Sequence, residues 1–168
     1  MRVRTAALAA GAVVVAILVL AAGDVQASPT SYSSCPSSDR TVPATRLPAA
    51  DSELVPAGAR GVLLCRYAGL NPPAKRSSLV ASKQVGKAAT VAELSRQLNA
   101  LPRQVGVFSC PDDTGAMIVA YFHYRGASDD VVSVQTSGCE LVSNGHVHRT
   151  AALAHGPQLL GELEAMTR

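Results

Sequence analysis

Four cysteines, Cys35, Cys65, Cys110 and Cys139, constrain the folding of this 168-residue chain more than any other feature. Their role depends on the compartment, which the N-terminus indicates. Arg2 and Arg4 precede an uncharged stretch from Thr5 to Gly23, and Val25-Gln26-Ala27 then places small residues two positions apart. A basic start, an apolar middle and a small-residue cleavage site make an export signal. Residues 1–27 therefore read as a signal peptide cut after Ala27, with the remainder working outside the cytoplasm. In an exported chain nothing keeps thiols reduced, so an even number of cysteines defaults to disulfides. Three pairings are open. The sequential one, Cys35 with Cys65 and Cys110 with Cys139, is favoured because it closes two loops of similar length, each contributing roughly 3 to 4 kcal/mol of chain entropy. No two cysteines are closer than 29 positions, so there is no C-x-x-C knuckle for a metal.

The apolar middle, Ala6 to Ala22, lies between the usual length of a signal core and that of a membrane span. Left uncut, residues 6–22 would anchor the chain to the outer face of the membrane, with Arg2 and Arg4 on the cytoplasmic side. Either way residues 28–168 are expected outside. Cys35 is preceded by Tyr32-Ser33-Ser34 and not by a small apolar box, which argues against a lipid anchor.

Cleavage removes Arg2, Arg4 and Asp24, taking the formal charge from +3 to +2. That balance, with Lys75-Arg76 the only adjacent basic pair of the mature chain, gives no basic patch for nucleic acid or a membrane surface. Residues 28–59 are rich in Ser, Pro and Ala, with Pro29, Pro36, Pro43, Pro48 and Pro56 at short intervals and no apolar periodicity; they read as an extended tether. Residues 60–168 suffice for a single domain.

Within that domain, Gly61 to Tyr67 and Ser78 to Val85 read as strands. Thr90 and Glu93 form a T-x-x-E capping box ahead of Val91, Leu94, Leu98 and Leu101 at helical spacing, with Pro102 as the stop. Val105 to Cys110 and Ala116 to Arg125 suggest a hairpin across Pro111 to Gly115. In the longer strand Ile118, Ala120, Phe122 and Tyr124 share one face while Met117, Val119 and Tyr121 share the other, which predicts a central position in the sheet. Val131 to Thr136 follows, then a hairpin over Asn144-Gly145 and a terminal helix from Pro157 to Met166. The order predicts an α+β fold: an antiparallel β-sheet in β-β-α-β-meander-α sequence, helices packed on one face, and two disulfides.

No motif specifies a reaction. His146 and His148 share a face if they lie in a strand and are weak candidates for a metal, but the sequence supplies no third ligand. Asp112-Asp113 and Asp129-Asp130 fit turn chemistry better than a calcium loop, which needs alternating oxygen ligands and a closing glutamate. There is no G-x-S-x-G elbow and no glycine-rich phosphate loop opening a helix. Tyr121, His123 and Arg125 share a strand face and could form a small recognition surface by stacking and hydrogen bonding. No cofactor is expected.

The stretches Leu64-Cys65-Arg66-Tyr67, Cys110-Pro111-Asp112-Asp113, Ser137-Gly138-Cys139 and Asn144-Gly145 resemble the uncharacterised exported four-cysteine proteins of GC-rich actinobacteria. The resemblance covers residues 60–168 and implies a shared fold without an activity. Secreted subtilisin-inhibitor-like proteins share the size, the signal and two bridges, although the cysteine pattern of their reactive loop is not matched. The leading expectation is an exported, non-enzymatic module that binds an extracellular protein or cell-envelope component. Second comes a small protease inhibitor presenting Gly69 to Ser77 with Lys75-Arg76. A small secreted hydrolase or metal-binding protein is third, and it requires a pocket gathering His146, His148 and a carboxylate.

Overall fold

The computed structural model describes residues 30–39, 47–70, 75–106 and 109–168. The export signal over residues 1–27 lies outside the described residues. Six strands form one antiparallel sheet: β1 Gly61–Tyr67, β2 Leu79–Val85, β3 Met117–His123, β4 Asp130–Gln135, β5 Leu141–Ser143 and β6 His148–Thr150, in the order β2-β1-β3-β4-β5-β6. Helix α1 spans Ala88–Asn99 and α2 spans Gly156–Met166. The disulfides are Cys35–Cys65 and Cys110–Cys139, the sequential pairing, and they place the folded chain in an oxidising environment.

The alternation read in β3 divides the core in two. Ile118, Ala120 and Phe122 turn to one face with Val62, Leu64, Val132, Val134 and Val142, where Val91, Leu94 and Leu98 of α1 and Leu159, Leu160 and Leu163 of α2 cover them. Val119 and Tyr121 turn to the other face with Leu63, Cys65, Tyr67 and Val131. Both helices thus pack on one side of the sheet. The second side is covered by the chain's own residues 30–39, through Tyr32 and Cys35.

Residues 28–59 depart from the expected tether. Among the described ones, Leu54 and Val55 are fully buried in the helix-side core, and Asn99 at the end of α1 brackets Val55, accepting its N–H at 2.9 Å and donating to its carbonyl at 2.7 Å. The Tyr124 hydroxyl donates to Pro56 O at 2.7 Å. Its described part holds one short 3-10 helix, Pro48–Asp51, and a bridge from Ser38 to Ser78, and the side chains of Asn99 and Tyr124 satisfy backbone groups of Val55 and Pro56.

Two local expectations are corrected. Helix α1 starts at Ala88, not after a cap at Thr90: the Lys87 carbonyl accepts the N–H groups of Thr90 and Val91, so Thr90 falls within the first turn. Glu93 binds Arg96 and Gln97 instead of the helix start. Second, residues 105–106 and 109–110 form no strand, and Val107 and Phe108 lie outside the described residues. The hairpin with Ala116 to Arg125 is not formed because β1 occupies that side of β3, from Gly61 opposite His123 to Tyr67 opposite Met117. Val105 is left 77% exposed, and Gly106 takes φ +95°.

The two sheet edges differ. Beyond β6 the chain at 102–104 covers the outer side, with Thr150 N donating to Pro102 O and Gln104 N to His148 O. Beyond β2, Ser37 O accepts the Leu79 N–H and Asp39 N donates to Ser77 O, so among the described residues the cover reaches only the start of the strand.

Candidate functional site

The histidine pair does not form a shared ligand face. His146 lies in the loop between β5 and β6, outside either strand, while His148 opens β6. His146 Nδ1 instead sits 3.2 Å from Asp51 Oδ1 on the surface. Among the described residues no group of three or more His, Cys, Asp or Glu is placed to hold a metal. The loop is organised by Asn144, a fully buried residue that reaches the segment 50–54.

Tyr121 and His123 do share a face of β3, but this face is not free. Tyr121 is fully buried, and the Tyr32 ring lies over it with centroids 4.5 Å apart. Arg125 lies beyond the strand end, exposed. The buried partner that the sequence did not reveal is Asp129. Its Oδ2 accepts the Tyr32 N–H at 2.7 Å, and its Oδ1 lies 3.0 Å from His123 Nδ1, close but not aligned as a hydrogen bond. Thr30 completes the clasp, its N–H donating to Ser128 Oγ and its carbonyl accepting the Asp129 N–H. A histidine beside a buried carboxylate is half of an acid-base device. Here the carboxylate fastens residues 30–32 to the sheet. Asp130, read as a turn residue, is buried at the start of β4.

Burial also governs the tyrosines. It pushes the Tyr67 hydroxyl up to about 12, and it raises Tyr121 and Tyr124, with Tyr67 and Asp130 respectively the next causes. Tyr67 donates to Pro36 O at 3.0 Å, which holds the strap down beside the Cys35–Cys65 bridge.

Both faces are covered at β1 and β3, so among the described residues the β1–β2 loop and the outer side of β2 are the accessible features at this end of the sheet. The loop is closed at its base by Ala68 N to Ser78 O and Ser77 N to Ala68 O, and held laterally by Leu70 N to Thr114 O. Lys75 and Arg76 are exposed within it; residues 71–74 lie outside the described ones. From Leu54 to Ala92 the chain carries six basic residues and no acidic one. All three lysines of the protein fall here: Lys83 lies in β2, Lys75 leads into it and Lys87 follows it, each exposed. The basic residues are scattered along the sequence, but folding brings the lysines to one edge. A cavity of about 230 Å³ opens beside the same strand, lined by Val80, Ala68, Ala116, Thr136, Arg66 and Glu164. Arg66 and Glu164 form no ion pair with each other across it.

Comparison with protein-family models, with curated proteins and with solved structures finds no match to this chain. Its function is therefore argued from its own residues.

Proposed function

We propose that this protein is an exported, non-enzymatic module that binds another protein outside the cytoplasm, using the free side of β2. The export reading rests on residues 1–27 and accords with the two disulfides. The observation that carries the binding reading is the unequal treatment of the sheet edges: among the described residues β6 is covered along its length, whereas β2 has a cover only at Ser77 to Leu79. An edge strand presents a row of backbone N–H and C=O groups that an extended polypeptide satisfies. Sugars and small ligands have no use for such a row.

A photo-reactive residue at Gln84, compared with one at Leu153, tests this in cells producing the protein. Leu153 is 61% exposed and lies ahead of α2, away from the edge. A discrete protein adduct from position 84 and none from 153 is expected. Equal, diffuse labelling from both positions would remove the reading.

A second reading, protease inhibition, is favoured by the β1–β2 loop, whose exposed Lys75 and Arg76 sit between hydrogen-bonded ends. Trypsin-like enzymes take a basic residue. Stoichiometric inhibition of trypsin by the oxidised protein is the expected result; turnover without inhibition eliminates it.

A further inference from the structure

We infer that the segment β2 accepts is acidic: an extended stretch of an extracellular protein, bearing Asp or Glu at alternate positions, adds as a seventh strand along residues 80–85. The inference rests on the proposed strand-binding function and specifies its partner.

Five observations converge on this edge. Its backbone is paired on one side only, to β1 from Val62 opposite Val85 to Arg66 opposite Ala81. Among the described residues, its outer side beyond Leu79 has no cover. Its side chains Val80, Ser82, Lys83 and Gln84 are exposed, Val80 by 43%. The stretch that carries the strand is charged with one sign, since Lys83 is flanked by Lys75, Arg76 and Lys87 with no acidic residue between Leu54 and Ala92; Asp39, whose N–H bonds Ser77 O, and Glu164 at the cavity are acidic neighbours from elsewhere in the chain. The cavity beside Val80 also contains the half-buried Arg66, a second cation that a side chain of an added strand can reach.

The same charges decide between occupants. A second copy pairing edge to edge about a two-fold axis at Lys83 would bring lysine directly against lysine, and like charges across a strand pair are destabilising. Lys83 is in that respect the guard that edge strands carry against self-association. Against an acidic strand the same residue is attractive, so one side chain rejects the homotypic pair and favours the heterotypic one. Glu164, which also lines the cavity, opposes an acidic side chain beside it. The acidic positions are therefore expected to lie opposite Lys83 and opposite Ala81, the β2 partner of Arg66, and not beside Glu164.

The test uses the full oxidised protein labelled with ¹⁵N and three short probes: a peptide alternating Glu with Val, its Lys–Val counterpart, and the Glu–Val peptide N-methylated at alternate amides. The acidic peptide is expected to bind at least about tenfold more tightly than the basic one, shifting the amides of residues 80–85. N-methylation should abolish binding, and Lys83→Glu, at an exposed position that leaves the fold intact, should reverse the charge preference. Equal binding of acidic and basic peptides at 80–85 overturns the acidic partner but leaves strand addition standing. Equal binding of the N-methylated peptide reduces the edge to a polyanion attractor and overturns both. Absence of binding by any probe also overturns both, and Lys83 is then a guard alone.

Discussion

The Asn144 side chain bonds to five backbone groups. Its amide nitrogen donates to the carbonyls of Ala50, Glu53 and Leu54, and its Oδ1 accepts the N–H groups of His146 and Val147. The Asn-Gly pair was legible as a turn, but the turn spans four residues, Asn144 to Val147, and only Gly145 takes a positive φ. What the sequence could not show is the other half of Asn144's work, because its partners lie some 90 positions away. Asn144→Ala strands buried carbonyls and N–H groups and should cost about 2 to 3 kcal/mol by urea unfolding. Asn144→Asp should cost at least as much, since it sets a carboxylate against three carbonyl oxygens; an Asp variant as stable as wild type would show that these bonds are not structural. The buried tyrosines give a pH dependence of defined sign. Tyr67, Tyr121 and Tyr124 hold their protons in the folded chain above the ordinary tyrosine value near 10. The unfolded state therefore binds fewer protons than the folded one above that pH. Their contribution is fully present below about pH 10 and is lost as the pH rises through the folded values, towards about 12 for Tyr67. The urea midpoint should fall steadily across that window, and less steeply in Tyr67→Phe. A midpoint flat across the window would contradict the burial of these hydroxyls.

At the scale of elements, the two disulfides enclose nearly equal loops, with sequence separations of 30 and 29. Chain entropy alone gives each roughly 3 to 4 kcal/mol. Their surroundings differ. Cys65 is fully buried in β1, and Cys35 anchors a strap whose Tyr32 covers Tyr121 and whose Pro36 carbonyl receives Tyr67. Cys110 is exposed and Cys139 half-buried, in loops flanking β3 and β4. Replacing Cys35 and Cys65 by Ala should thus cost more than replacing Cys110 and Cys139, and only the first variant should bind a hydrophobic dye at Leu63, Val119 and Val131. Equal losses without dye binding would mean that residues 30–39 hold to the sheet without their bridge. The strands β1 to β4 and both helices were legible because each carries its own periodicity. The segment Val105 to Cys110 was misread because an apolar run cannot say which neighbour β3 will take, and β1 won that place.

At the scale of the molecule, the boundary drawn at residue 60 from composition is where sequence and fold part most. Proline and serine frequency made 28–59 look unable to join a core, and no periodicity marked Leu54-Val55 as buried. Packing there depends on distant partners: Asn99 for Val55, Tyr124 for Pro56, Asn144 for the carbonyls of Ala50, Glu53 and Leu54. A chain starting at Arg60 would lose those apolar side chains from the helix-side core, uncover the opposite sheet face and leave Cys65 without Cys35. Each loss alone is tolerable; together they are comparable with the roughly 5 to 15 kcal/mol that holds a domain folded. The oxidised chain starting at Ser28 should therefore show dispersed amide resonances and one cooperative urea transition. The chain starting at Arg60 should show collapsed resonances and no cooperative transition. If the shorter chain instead unfolds cooperatively with native dispersion, the segment before residue 60 is an accessory to the fold, and the strap and the Leu54-Val55 anchor contribute only local order.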